Sequence, residues 1–201
     1  LDVAARSVAT GLEPVGVVSV ERLSRFLTAE DPRPYMVLAD AAGAAVLGPA
    51  EPKEGILALS MGNDGSHKGA VFMAHPGLSD RTETIVFNES NRGITDTALD
   101  ALERCAKRAL DECGLGVPDI NWAVVHQPNG SMTRKILKRL NIPVDRVIPV
   151  AQDIGSTGSA SIAVGLDRLW HSGRVQPGHR ILIVGVGAGM SYGAMVYQVG
   201  S

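Results

Sequence analysis

From Gly55 onward the chain alternates apolar runs of strand length with stretches of helical periodicity, and this alternation limits the fold more than any other feature. Gly55 to Met61 reads as a strand ending at the turn Asn63-Asp64-Gly65. A long loop follows, to about Asn91. Ala98, Leu99, Leu102, Cys105, Ala106, Ala109, Leu110 and Cys113 then recur at three- and four-residue steps, which predicts a helix ended by Gly114. Trp122 to Val125 is a strand. Asn129 can cap a helix whose apolar face holds Met132, Ile136, Leu137 and Leu140. Arg146 to Val150 reads as another strand. The turn Gly155-Ser156-Thr157-Gly158-Ser159 opens a helix with Ile162, Ala163, Leu166, Leu169 and Trp170 on one face, ended by Gly173. Arg180 to Val186 and Gly193 to Val199 are the last strands, joined through Gly187-Ala188-Gly189. This order predicts an α/β fold: a mixed, mostly parallel sheet with helices on both faces and one added antiparallel strand.

The first 50 residues differ in kind. Leu1, Val3, Ala4, Ala5 and Val8 share one helical face, Gly11 is a C-cap, and no capping residue precedes them. They read as the last turns of a helix begun elsewhere. Pro14 to Val20 is a strand, Glu30 to Pro34 a loop, and Tyr35 to Leu47 a strand with Asp40-Ala41-Ala42-Gly43-Ala44-Ala45 at its centre. Small residues there imply close approach of another backbone. Pro49 to Pro52 divides two parts, residues 1–50 and residues 51–201. Two strands without a sheet are marginal, so a companion segment or chain is expected against Leu1 to Leu47.

Composition excludes several classes. Nineteen Lys and Arg against 21 Asp and Glu leave no basic excess for nucleic acid, and 4% aromatics leave few rings to stack on bases. No apolar run is long enough to span a bilayer and no signal peptide is present, so neither membrane nor export is expected. Cys105 and Cys113 lie on one helical pattern without metal-ligand spacing, which fits small buried residues in a reducing, cytoplasmic setting.

Three features stand where open α/β sheets place their sites, at the carboxyl ends of strands. His126 follows Trp122 to Val125, Ser156 lies in a glycine-rich turn after another strand, and Gly187-Ala188-Gly189 follows a third. Together they predict one crevice. Other patterns fail on context. Gly185-x-Gly187-x-Gly189 leads into a strand rather than the helix a dinucleotide site needs. Gly189-Met190-Ser191-Tyr192-Gly193 lacks the helix and the later acid and histidine of a hydrolase elbow, so Ser191 is structural. Asp64, His67 and His75 match no metal-ligand spacing.

Four segments, in order, resemble the ketoacyl synthase III family. Val125-His126-Gln127-Pro128-Asn129 resembles its His-Gln-x-Asn motif, and Gly155-Ser156-Thr157-Gly158-Ser159-Ala160-Ser161 its Gly-Asn-Thr-x-x-Ala-Ser turn. Val184 to Gly193 resembles the closing Gly-Gly-Gly-Phe-x-Trp-Gly segment, and Asp40 to Ala45 the Asp-Gly-Ala-Gly-Ala run. The resemblance implies a thiolase-like fold, incomplete in this chain, with the end of the N-terminal half in residues 1–50 and the C-terminal half in residues 51–201.

It also implies chemistry on acyl thioesters of coenzyme A or of a carrier protein's phosphopantetheine, with no further cofactor and no metal. His126 takes the histidine role, Ser156 stands at the asparagine position, and the backbone N–H of Ala188 forms half of an oxyanion hole. Gln127, Asn129, Gly187 and Gly189 are implied to line the substrate. The nucleophilic cysteine falls before Leu1, so the companion segment is expected to carry it. With a serine hydroxyl in place of the amide, malonyl decarboxylation is expected to be slow and plain acyl transfer favoured. A homodimer of the complete unit is implied. A small basic face, Arg134, Lys135, Lys138 and Arg139, would suit an acidic acyl-carrier protein. The alternatives are a non-catalytic thiolase-fold subunit and a hydroxymethylglutaryl-synthase-like enzyme.

Overall fold

The computed structural model describes residues 1–73, 83–88 and 91–200. His75 lies outside them. The expected opening helix is α1, Asp2–Ala9, which buries Ala4 and carries an Arg6–Asp2 ion pair of 2.9 Å. β1, Val15–Glu21, pairs antiparallel with β2, Ala41–Leu47, from Val15 opposite Leu47 to Glu21 opposite Ala41. Between them the expected loop closes into a helical turn, α2, Pro32–Tyr35. Pro32 presets the first helical φ, and the Asp31 carboxylate accepts from the Arg33 N–H at 3.2 Å. That turn removes Tyr35 from the expected strand. β2 then starts only after Asp40, whose carboxylate accepts from the Ser24 N–H and hydroxyl.

β3, Gly55–Asn63, leads to two short strands that periodicity did not reveal, β4, Val71–Met73, and β5, Ile85–Phe87, which pair antiparallel. Three-residue strands are too short to show alternation. α3, Asn91–Glu112, is followed by β6, Trp122–Val125, and α4, Gly130–Arg139. After α5, Ala151–Ile154, come α6, Ala160–His171, β7, Arg180–Gly187, and β8, Ser191–Gln198.

The main sheet has the order β3-β8-β7-β6. β6 and β7 are parallel, whereas β8 is antiparallel to both β7 and β3. The sheet is mixed as expected, but the parallel share is smaller than the alternation implied. Arg146 to Val150 accounts for the difference. It forms a single parallel bridge, Ala123 with Val147, instead of a strand. Pro149 has no N–H to give a ladder. The Gln127 side chain takes the neighbouring groups, donating to Ile148 O at 2.9 Å and accepting from Val150 N at 2.9 Å.

Alternation along β7 builds both sides of the core. Leu182 and Val184 pack with Leu102 and Leu110 of α3 and Ile136 and Leu137 of α4. Ile181 and Ile183 face the other way, with Leu169 of α6 and Met195 of β8. α6 is covered in turn by the β1–β2 pair. A side chain at Gly43 would put its Cβ 2.5 Å from Ala163 Cβ of α6, which is the close approach that the small-residue run implied. The layers are therefore α3 and α4, the four-stranded sheet, α6, and β1–β2.

Candidate active site

β6 ends by placing His126, whose N–H continues the parallel ladder to Val184 O at 2.8 Å. The imidazole Nδ1 lies 2.8 Å from the Ser161 hydroxyl, near the start of α6. Ser161 in turn donates to Gly158 O at 2.8 Å. The His126 strand end and the glycine-rich turn thus meet at one place, as the sequence predicted. Burial pushes the imidazole down to about 4, against the Glu21 carboxylate and the Gly158 backbone, both of which favour the protonated ring. The ring is neutral at neutral pH and keeps some accessible surface.

Glu21 is the residue that the motifs did not single out. It closes β1, and its carboxylate accepts from the Ser159 N–H at 2.9 Å and from the Ser159 hydroxyl. Its strand end precedes the site by more than a hundred residues, so only tertiary packing reveals it.

Ser156 is buried, and its backbone is held from both sides. Its N–H donates to Val37 O and its carbonyl accepts from Ala39 N, both at 2.8 Å. Its hydroxyl makes no hydrogen bond among the described residues. Thr157, next to it, is fully buried, and its hydroxyl has no partner. Gly187 ends β7, and Ala188 and Gly189 lie in the β7–β8 turn, with Gly187 and Ala188 exposed. That turn is at the same sheet edge as His126. It lies about 13 Å further along β7 than the Val184 rung, at ~3.3 Å per residue.

The other expected residues divide. Gln127 is buried, and its amide donates to the backbone of Ile148 and accepts from that of Val150 and Ala151. It braces the chain, because a buried amide needs partners at both its ends. Asn129 caps α4, accepting from Met132 N at 2.9 Å, and stays exposed. Within the basic face, Arg139 is paired with Asp100 and Glu103 of α3. Arg134, Lys135 and Lys138 are exposed and have no ion pair among the described residues.

Cys105 lies in the core and donates to Ser60 O at 2.9 Å, while Cys113 donates to Ala109 O at 3.0 Å. Both sit between α3 and the sheet, away from His126. Ser191 opens β8 and donates to the Asn63 side chain. Asp64 accepts from the Ser66 N–H and hydroxyl. Among the described residues no group of three or more His, Cys, Asp or Glu could hold a metal ion, and no helix is long and apolar enough to cross a membrane.

The chain is similar to known proteins. The chain is 30% identical over 187 residues to a beta-ketoacyl-[acyl-carrier-protein] synthase III of Jannaschia sp. (strain CCS1), covering 90% of this chain and 57% of that protein. It is 32% identical over 191 residues to beta-ketoacyl-[acyl-carrier-protein] synthase III 3 of Streptomyces coelicolor, with the same coverage of 90% and 57%. The chain thus spans a little over half the length of the curated relatives it matches. A solved synthase III from Thermus thermophilus superposes with a TM-score of 0.90 at 27% identity, over 99% of this chain and 63% of that one. The family model 3-oxoacyl-[acyl-carrier-protein] synthase III matches residues 1–65, and the model of its C-terminal part matches residues 110–199. With a thiolase-like fold, two relatives at 30% and 32% identity and both family models matched in order, this chain belongs to the 3-oxoacyl-[acyl-carrier-protein] synthase III family.

Proposed function

We propose that the chain works in a condensing enzyme or acyltransferase of the synthase III type, acting on acyl thioesters of coenzyme A or a carrier protein. The observation that carries this reading is the junction of His126 with the Gly158–Ser161 turn at the sheet edge that also bears the Ala188 turn. A neutral imidazole there can hydrogen-bond a thioester oxygen or exchange a proton with a reacting group. The Ala188 N–H is read as half of an oxyanion hole and Asn129 as a substrate contact. Residues 1–50 are read as the end of one thiolase half and residues 51–201 as the other.

A companion segment or chain carries the nucleophile in this reading. Its docking surface is the outer face of β1–β2, where Val18, Val20 and Val46 are largely exposed beside Ala42 and Ala44. The complete unit is read as a cytoplasmic homodimer. Arg134, Lys135 and Lys138 remain as the basic surface for an acidic carrier.

The Ser156 position favours acyl transfer over decarboxylation. Decarboxylation builds charge on an enolate oxygen, and a short hydroxyl replaces an amide donor there. The loss is about 1.5–3 kcal/mol, or roughly ten- to a hundredfold in rate. The assembled wild type, His126→Ala and Ser156→Asn are to be compared for acyl transfer from acetyl-coenzyme A and for carbon dioxide release from malonyl-coenzyme A. His126→Ala abolishes product while the fold persists, and Ser156→Asn raises carbon dioxide release. Unchanged product in His126→Ala moves the site elsewhere, and no turnover by the wild type favours a non-catalytic subunit.

A further inference from the structure

We propose that the protein binds a small monocarboxylate with an apolar tail in a cavity of about 380 Å³ at the end of the sheet opposite the His126 site. This site stands apart from the acyl-thioester reading, and neither depends on the other.

Four element ends build the cavity. β7 starts at Arg180 and β8 ends at Gln198, and these two residues are paired across the ladder. Lys53 comes just before β3, and Cys113 and Leu115 follow α3. With Leu57 of β3 they line the cavity. Arg180 lies ~13 Å back along β7 from the Val184 rung that holds His126, at ~3.3 Å per residue. Leu57, Cys113 and Leu115 pack against the core but are only partly buried. Their open surface is an apolar floor, which an apolar tail would cover.

The polar groups around that floor are donors. Arg180 donates from Nε to Gln198 Oε1 at 3.1 Å, and its two Nη groups have no hydrogen bond among the described residues. The Gln198 amide nitrogen and the Lys53 ammonium have none either, and neither cation is in an ion pair there. The acceptors at the end of α3 are already taken. The Cys113 thiol donates to Ala109 O, and the Gly114 and Leu115 N–H groups donate to Asp111 O and Leu110 O. Free donors beside satisfied acceptors call for an anion. The Glu112 carboxylate also acts on the Cys113 thiol, in the sense opposite to Arg180. Glu54, next to Lys53, lines a separate cavity with Glu51 and Tyr197. Two cations against one carboxylate leave a single positive charge, which suits a monocarboxylate better than a phosphate dianion. The planar guanidinium also matches the carboxylate's two oxygens.

The placing of Lys53 supports this assignment. Glu51 to Glu54 is a turn closed by the Glu54 N–H on Glu51 O at 3.0 Å, with Pro52 second and Lys53 third, at φ +72°. A positive φ at the third position of such a turn favours glycine. This turn carries a lysine there instead, and so sets a cation at the edge of the cavity against the preference of its own backbone.

The test is protection of Cys113 from iodoacetamide in the full-length protein, read at the Cys113 peptide by mass spectrometry at about pH 8.5, near the ordinary thiol value. Hexanoate should slow the alkylation saturably, and hexylamine at equal concentration should not. From butanoate to hexanoate each added methylene should lower the midpoint about fourfold. Arg180→Gln should raise the hexanoate midpoint about tenfold. Lys53→Gln should raise it roughly threefold, and its exposed side chain makes the fold an unlikely casualty. Midpoints rather than basal rates are compared, because Arg180 itself acts on the thiol. No protection by hexanoate, equal protection by hexylamine, or a midpoint unmoved in both variants would overturn the proposal. A lower midpoint for hexyl phosphate than for hexanoate would overturn the monocarboxylate assignment. Hexanoate held at the His126 site would leave Cys113 unprotected, so the failure of either reading leaves the other standing.

Discussion

β7 and β1 start from similar apolar runs and reach opposite states. In β7 four consecutive residues, Ile181 to Val184, are buried, because α6 covers one face and α3 and α4 the other. In β1 exposure alternates, and Val18 and Val20 stand 71% and 68% exposed. α6 covers the inner face of this pair, and α1 also packs against both strands. The outer face of Val18, Val20, Ala42, Ala44 and Val46 is apolar, whereas the half-buried inner face carries Ser19 and Glu21. An apolar run fits a strand covered on both sides, and within these residues only the four-stranded sheet meets that condition.

The largest effect expected is on the doubly covered strand. Leu182→Ala removes a fully buried side chain and should cost about 2–5 kcal/mol in a urea melt. Val18→Ala, on the open face, should cost no more than about 0.5 kcal/mol if that face meets solvent. A loss approaching that of Leu182→Ala in the assembled protein would break the contrast and show the face to be covered.

His126 lies where the two regions join, and acid should weaken that joint. Unfolded, the ring protonates near 6.5; folded, it resists protonation until about 4. Stability is therefore fully present above about pH 6.5 and falls as the pH drops toward 4, by at most about 3 kcal/mol. Urea melts between about pH 7 and about pH 4.5 measure the slope, and His126→Gln should flatten it.

Gly43→Ala tests the contact between β2 and α6. The new Cβ has no room beside Ala163, and overpacking should cost about 1–3 kcal/mol. Adding Ala163→Gly should restore much of the loss at this contact, beyond the sum of the single changes. Thermal melts of the two single variants and the double variant give the coupling, and simple additivity would show that the layers approach less closely. The smallest effect belongs to the surface. Arg139→Ala, which breaks exposed pairs with Asp100 and Glu103, should cost no more than about 1 kcal/mol in the same melts, and less at high salt.

Long periodic elements were legible in the sequence because one buried face imposes its repeat on the residues. The repeated apolar positions from Ala98 to Cys113 and from Ile162 to Trp170 are α3 and α6. Asn129 caps α4 as its side chain allows. Short elements were not legible. β4 and β5 have three residues each, and the turn at Pro32 depends on a cap and a proline rather than on periodicity. Arg146 to Val150 has the composition of a strand, but its backbone partners are a side-chain amide and a single bridge.

The site shows the same division. His126, Ser156 and the Ala188 turn stood out as candidates because strand ends and glycine-rich turns are local signals, and their order along the chain carried the family. The sequence alone could name the types of residue and the strand ends that carry them. Packing decided that Gln127 braces the chain, that Arg139 is neutralised by α3, and that Glu21 and Ser161 stand behind His126. Each of these depends on the partner that another element brings within hydrogen-bond reach. Glu21 and Ser159 lie on β1 and at the start of α6 and meet only once those elements pack, and no local pattern encodes a distance across the fold.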